Sequence, residues 1–331
     1  MGYTHSGEET DVSKAASHAA RVLQAATEPG ASARSRLTAS WRRSLDHHGL
    51  DPDHRDEVQR ITEAALAERR ERSEAMLRVA APRLDALFQL VGTSGCGVLL
   101  TDADGVVMDL RATDGDAGVF DAWGLSPGAD WSEASEGTNG IGTCLAEVRR
   151  VIIHRDDHFH ARNTAMSCMD APIFGADGEI IGALDVSSAR ADQTEAFNRL
   201  IGAMVAQTAR QIEADTFRAT YPAARIIVAD SDDTDAAILL AVDGDDLVVG
   251  ATRGARRVFG LDARGPVTPL PATDLFDRDD GPRGFERAER AAVMRALSRA
   301  GGNVSSAARA LGVGRATLYR RMKRLGIDET R

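Results

Sequence analysis

The feature that most restricts this chain is how unevenly its charge is laid out. The 331 residues carry a formal net charge of −10, yet the stretch from Arg283 to Arg324 holds eleven basic residues against two acidic ones, Glu286 and Glu289. That stretch is worth +9 and leaves −19 on the remainder. One mixed body would intersperse these signs, so the segregation implies a small unit built to meet phosphate and a larger acidic body with another task. The length agrees, since roughly 100 to 200 residues per domain allows two or three domains.

Within the basic stretch, Phe285, Ala288, Ala292, Val293, Ala296, Leu297 and Ala300 fall on one face of a helix that Gly301-Gly302 ends. Asn303 is placed to cap a second helix, Val304 to Leu311, where Ala307 and Ala308 let another helix cross closely. Gly312 can take the positive φ of a sharp turn. A third helix then puts Leu318, Met322 and Leu325 inward and Arg315, Thr317, Arg320 and Lys323 outward. Small contact, turn and core anchor at this spacing suit a helix-turn-helix. A helical hairpin with a solvated basic face is the plainer alternative. A solvated face mixes its signs, however, and no acidic residue lies between Glu289 and Arg324.

The segment GGNVSSAARALGVGRATLYRRMKRLGI (301–327) resembles the Fis-type helix-turn-helix that closes many bacterial transcription activators. The resemblance implies a homodimer on a palindromic DNA operator. Arg315 would read a base edge and Thr317 and Arg320 would contact backbone or base, with Tyr319, Arg321, Lys323 and Arg324 completing the DNA-facing set. Gly314 departs from the family, in which Ser or Asn often caps the recognition helix.

Ahead of this unit (283–331) the pattern divides the chain into a helical region (1–70), a sensor (71–218), a short β-rich segment (219–262) and a linker (263–282). Residues 1–30 read as a weak helix on a loose tail, broken at Glu28-Pro29-Gly30. Leu37, Trp41 and Leu45 mark an amphipathic helix stopped by Gly49. A longer charged helix is expected from Asp53 to Leu90, kinked or split by Pro82. From Cys96 the runs become β-type: a hairpin across Asp104-Gly105, then VIIH (151–154), APIF (171–174) and IIGALDVSS (180–188), closed by a helix over 192–218. The fold class is α+β. After residue 219, two strands flank Asp243-Gly244 and a helix runs from Ala251 to Phe259. Pro266, Pro269, Pro271 and Pro282 then suggest a linker.

The least generic stretch is SEGTNGIGTC (135–144) followed by HRDDHFHARNTAMSCMDAPIF (154–174). Glu136 to Gly140 with Gly142 can form a close-approach turn that binds an anion or caps the next helix. Trp131 can stack a ligand or fill the core. His154, Asp156, His158, His160 and Cys168 are metal-ligand types without a ligand-specific spacing, so no metal is assigned and a small organic effector is preferred. The candidate effector-binding residues are Trp131, Asn139, Thr143, Cys144, His154, His158, Cys168 and Asp170. Together with SWRRSLDHHGLDP (40–52), this stretch resembles the GAF sensor domain of acetoin-catabolism-type regulators. That implies a six-stranded antiparallel sheet with helices on one face and a ligand cavity on the other. Residues 221–262 resemble a truncated PAS core.

No run approaches the roughly 18 apolar residues of a membrane span, and the N-terminus is polar and acidic rather than signal-like, so a cytoplasmic protein without a membrane partner is expected. Cys96, Cys144 and Cys168 are too scattered for a disulfide framework and read as reduced thiols. Relatives of this kind usually carry an ATPase domain before the helix-turn-helix. A P-loop needs Lys after Gly, whereas the two lysines here, Lys14 and Lys323, follow Ser13 and Met322, and 219–282 is too short for such a domain. The expectation is a non-enzymatic, cofactor-free transcription regulator that senses a small-molecule effector, with DNA and RNA polymerase as partners. A thiol enzyme resembling GAF-type methionine-sulfoxide reductases and a DNA-architectural protein are the alternatives. The thiols lack the spacing of a redox pair, and an architectural protein has no use for the sensor.

Overall fold

Alternating apolar runs build the centre of the larger unit, whose strands and helices are set out by a computed structural model describing residues 6–30, 33, 35–188, 190, 193–229, 237–276 and 285–327. The chain divides into two units, Met1–Ala272 and Thr273–Arg331. In the first, β1 (Cys96–Thr101), β2 (Val107–Arg111), β3 (Val151–His154), β4 (Ser167–Phe174) and β5 (Ile180–Ser188) form an antiparallel sheet in the order β2-β1-β5-β4-β3. Five strands are present among the described residues where six were expected.

Both faces of this sheet are covered, which is why all six residues of β1 are buried. Val98, Leu100, Met169, Ala171, Leu184 and Val186 point to one face and pack under two long helices, Glu74–Val91 (α4) and Glu195–Thr220 (α8). Their immediate neighbours along the strands point to the other face. There Leu99, Val107 and Cys168 meet Phe120, Leu125, Trp131 and Ile141. These come from helix α5 (Asp114–Ala122), the connection after it, which includes the one-turn helix α6 (Glu133–Glu136), and helix α7 (Gly140–Glu147).

The helices ahead of the sheet differ from the sequence reading. The chain after Asp53 is extended, with Ile61 N–H bonded to Gly128 O at 2.9 Å, before Thr62 caps α3 (Glu63–Arg72). The break falls at Ser73, and Pro82 sits inside an unbroken α4. An internal proline costs about 3 kcal/mol. The stripe Met76, Ala80, Leu84, Leu87 and Val91, at roughly 1.5 to 3 kcal/mol per large buried side chain, outweighs it. The described part of the first thirty residues, from Ser6 on, is not a loose tail either. Helix α1 (Ser6–Thr27) buries Val22 and Ala26 against Trp41 of α2 (Arg36–Asp46) and against Phe159.

A second antiparallel sheet follows α8: β6 (Arg225–Val228), β7 (Leu239–Val242), β8 (Leu247–Ala251) and β9 (Leu270–Pro271), in sequential order. Thr252 caps the short helix α9 (Arg253–Val258). The expected linker at 263–282 is therefore structured through residue 275: Leu270 and Pro271 pair with Val248 and Leu247, and α10 (Ala272–Leu275) continues from them. Pro271 lies on an edge strand, where its missing N–H is tolerated. Pro282 lies outside the described residues. Arg256 explains the order of the proline-rich loop. It is 2% exposed and donates from Nε to Ala251 O at 2.9 Å, from Nη1 to Asp262 O at 2.9 Å and from Nη2 to Gly265 O at 2.6 Å.

Replacing Arg256 with Ala would leave three carbonyls without their donor, at roughly 3 kcal/mol of stability. Hydrogen exchange should then rise selectively in residues 260–271. Unchanged protection there would mean that the guanidinium does not hold the loop.

Candidate functional site

The smaller unit is a three-helix body of α11 (Phe285–Arg299), α12 (Val304–Ala310) and α13 (Arg315–Arg324). Asn303 caps α12, accepting from Ser306 N–H at 3.1 Å, and Gly312 makes the turn at φ 65°. Val293, Ala296, Ala307, Ala308, Leu318, Met322 and Leu325 form its core, whereas Phe285 and Ala288, which the spacing had placed on the same face, are exposed. Gly314 gives α13 no side-chain cap. With Leu318 and Met322 inward, α13 leaves Arg315, Arg320 and Lys323 exposed. Arg315 also stacks on Tyr319, its guanidinium carbon 5.5 Å from the ring centre. Thr317 and Tyr319 are half-buried. Arg321 and Arg324 are turned to α11, where both pair with Glu289, Arg321 at 3.3 Å. Both stay exposed all the same, with 44% and 60% of the side chain accessible.

In the larger unit, the sheet face turned away from α4 and α8 carries an unusual polar centre. Register places Asp170 of β4 opposite Asp185 of β5, and Cys168 opposite Ser187. Both carboxyls are buried. Neither oxygen of Asp170, nor Asp185 Oδ1, has a hydrogen-bond partner of good geometry among the described residues. Ser187 Oγ lies 2.7 Å from Asp185 Oδ2 and 3.2 Å from Cys168 Sγ. Burial raises both carboxyl pKa values, and for Asp170 the charge of Asp185 raises it further. Two carboxylates so placed do not both ionise readily, and the pair favours keeping a proton.

Cys168 Sγ is also 3.4 Å from His158 Nε2. His158 Nδ1 lies 2.8 Å from Arg155 O, which assigns its proton to Nδ1 and leaves Nε2 to accept from the thiol. Burial lowers the His158 pKa to about 4 and raises that of Cys168 well above the ordinary thiol value. The pair is thus a neutral thiol and a neutral imidazole. An activated thiolate needs the opposite environment. Cys96 and Cys144 are buried and raised as well.

The glycine-rich segment serves close packing. Asn139 caps α7, its Oδ1 accepting from Gly142 N–H at 2.8 Å, so the capping alternative describes this turn. A Cβ at Gly140 would stand 2.1 Å from Asp170 Oδ2, and one at Gly142 would stand 2.4 Å from Glu133 N. Only glycine lets the first turn of α7 settle over the carboxyl pair. Glu133, which sequence reading passed over, joins this segment to α2. It accepts from Ser40 Oγ at 2.6 Å, from Arg43 Nη2 at 2.7 Å and from Thr143 Oγ1 at 3.2 Å. Glu136 is held by Arg162, whose Nη2 lies 2.6 Å from each of its oxygens.

Of the eight effector candidates, Cys144, His158, Cys168 and Asp170 surround or adjoin the polar centre, and Asn139 and Thr143 belong to the α7 cap beside it. Two do not gather there. Trp131 is 1% exposed, packs in the core and donates to Gly124 O at 2.9 Å. His154 is on the α8 side, its Nδ1 2.7 Å from Ser167 Oγ and 3.0 Å from Asn198 Nδ2. Asp185 and Ser187 were missed because IIGALDVSS reads as a plain apolar strand until its register with β4 is known. No group of three or more metal-ligating side chains occurs among the described residues. No helix among them is long and apolar enough to cross a membrane.

Comparison with known proteins agrees with this geometry. Residues 76–214 match the GAF domain family, and residues 284–325 match the bacterial regulatory protein, Fis family. The acetoin catabolism regulatory protein of Cupriavidus necator is 34% identical over 66% of this chain and 33% of its own length. The propane 2-monooxygenase operon transcriptional activator MimR of Mycolicibacterium smegmatis is 31% identical over 49% of this chain and 27% of its own. The chain therefore spans about a third or less of these two relatives. The E. coli DhaR(N)-DhaL complex contains a chain of like fold, with TM-score 0.50 and 16% identity over 72% of this chain and 80% of that one.

The carboxyl pair has a thermodynamic signature. The folded protein keeps a proton that the unfolded chain releases near pH 4, and Asp185 is pushed up to about 7, so the pair loses stability as pH rises between those values. Asp185→Asn should remove the Asp185 share of that loss while the buried Asp170 keeps its own, making the variant more stable relative to wild type at pH 8 than at pH 5 by on the order of 2 kcal/mol in urea unfolding. Parallel pH profiles would show that no proton is held there.

Proposed function

We propose that this chain, which joins a GAF domain to a Fis-type helix-turn-helix, is a transcription regulator that binds operator DNA through α13 and a small-molecule effector through the interior of the GAF domain. The observation that carries the reading is α13 itself. A short helix locked from behind by Leu318, Met322 and Leu325 presents Arg315, Arg320 and Lys323 to solvent. Such a helix reads a half-site, so the working species is a homodimer whose two helices meet a palindromic operator about 34 Å apart. Arg315 supplies base readout, and Arg320 and Lys323 supply phosphate contacts. Arg321 and Arg324 hold α13 against α11 through Glu289.

The effector site lies at Asp170 and Asp185, with Ser187, Cys168, His158 and Cys144 around them. A carboxyl pair that keeps one proton offers both a donor and acceptors, which suits a small molecule carrying hydroxyl and carbonyl groups. Acetoin, named in one relative, is of that class. The neutral, buried thiols favour a binding role over catalysis. The small sheet β6–β9 is read as a truncated PAS core that follows the sensor. The interval from 215 to 283 leaves no room for an ATPase between the two matched families. Effector binding would thus shift operator affinity or RNA polymerase contact directly, with a coupling of roughly 1 to 3 kcal/mol and no nucleotide hydrolysis. A regulator of this kind works in the cytoplasm.

Fluorescence anisotropy with the full chain tests the reading. Binding to its operator should fall by about 10³ to 10⁵ between 50 and 200 mM salt if some 6 to 10 phosphates are engaged. Arg315→Ala should cost about 1 to 3 kcal/mol at one base position and flatten discrimination there. Lys323→Ala should weaken all sequences alike. A flat salt response with no sequence preference would sink the assignment, and effector-dependent binding without nucleotide would sustain it.

A further inference from the structure

Apart from the polar centre and α13, a cavity of about 610 Å³ opens beside the last turn of α8, between the α3–α4 break and the turns that join β1 to β2 and β4 to β5. That size is ordinary for a small-molecule site, at roughly 300 to 1,000 Å³. None of the effector candidates lines this cavity.

Charge does not set its chemistry. Arg69 lies 2.6 Å from Asp102 and 2.7 Å from Asp104, and Arg72 lies 3.8 Å from Glu68, so each guanidinium in the lining already faces a carboxylate. An oxyanion has no open cation to meet there. The uncommitted groups are hydroxyls. Ser73 makes no side-chain cap bond at the start of α4, and neither its hydroxyl nor that of Tyr221 has a hydrogen-bond partner among the described residues. Neither oxygen is shut away from solvent. The Tyr221 ring is held in place, its centre 5.0 Å from that of Phe217 and its Cζ so close to β8 that a Cβ at Gly250 would stand 2.4 Å from it. Asp177 adds an acceptor: its Oδ1 takes Glu179 N–H at 3.1 Å, and no cation pairs with it among the described residues. Met76, Ile180 and Ile181 supply an apolar wall. A hydroxyl both donates and accepts, whereas a carboxylate only accepts. Set around an apolar wall, these groups match a molecule with a rim of hydroxyls and a face of C–H groups.

We propose that this cavity is a second ligand site, distinct from the GAF interior, which binds a small uncharged polyhydroxylated molecule of the sugar or sugar-alcohol class. The occupant donates to Asp177, exchanges hydrogen bonds with Ser73 and Tyr221, and rests its C–H face on Met76, Ile180 and Ile181. It thereby bridges the α3–α4 break and the end of α8. The inference rests on neither the DNA-binding nor the effector reading.

Isothermal titration of the full chain with D-glucose, D-galactose and D-mannitol, and with putrescine as the charged comparison, tests it. At least one of the three polyols should bind, and more tightly than putrescine. The double variant Ser73→Ala/Tyr221→Phe removes two oxygens and no packing, and should weaken that binding about tenfold with an unchanged circular dichroism spectrum. If the double variant fails to fold, Asp177→Asn, which keeps the acceptor for Glu179 N–H, should still weaken it about threefold. Asp170→Asn, in the polar centre, should bind the polyol as wild type does. Binding of none of the polyols, preference for putrescine, equal binding by wild type and the cavity variants, or loss of binding in the Asp170 variant would each overturn the proposal.

Discussion

The strict alternation of β4 and β5 is the constraint on which the larger unit depends. Met169, Ala171, Leu184 and Val186 point to the α4 and α8 side, and every residue between them must point to the other. A one-residue slip would bury Asp170 and Asp185 under two apolar helices and expose the core. Register thus places the two carboxyls opposite one another. Gly140 at the start of α7 then follows as a requirement, because nothing larger than a hydrogen fits between it and Asp170.

Much of this was legible in the residues themselves. The three C-terminal helices, the Asn303 cap and the Gly312 turn were visible because each depends on local chemistry within a few positions. The strands at 151–154 and 180–188 fell where their β-branched runs put them. What escaped were features decided across the chain. The break at Ser73 instead of Pro82 follows from how α4 packs on the sheet. The order of the proline-rich segment follows from Arg256, whose three carbonyl partners are 5, 6 and 9 residues away. The pairing of Arg321 and Arg324 with Glu289 spans 32 to 35 residues. Spacing along one helix carries no information about that distance.

The candidate site was half visible for the same reason. Residue type pointed to His158, Cys168 and Asp170, and all three lie on or against the sheet face turned from α8. Type also pointed to Trp131 and His154, which the fold commits to packing and to a hydrogen-bonded position beside Asn198. Asp185 and Glu133 were hidden in stretches that look ordinary until a partner strand or helix is set beside them. The cavity beside the last turn of α8 was invisible to any reading by segment, because its lining is spread from residue 69 to residue 221.

Helix α8 has a mechanical consequence. Its 26 residues run without interruption from Glu195 to Thr220, a rod about 39 Å long. Along that length it packs on the sheet, lines the cavity with Thr216 and Thr220 and buries Phe217 against the first strands of the second sheet. A stiff rod does not absorb a disturbance where it arises. A tilt of roughly 5° at the Glu195 end carries the Thr220 end through about 3 Å, more than the roughly 1 to 2 Å by which packed helices commonly shift. The helix therefore ties the two sheets together as one stiff element, seated on the first from Ile201 to Ile212 and meeting the second at Phe217.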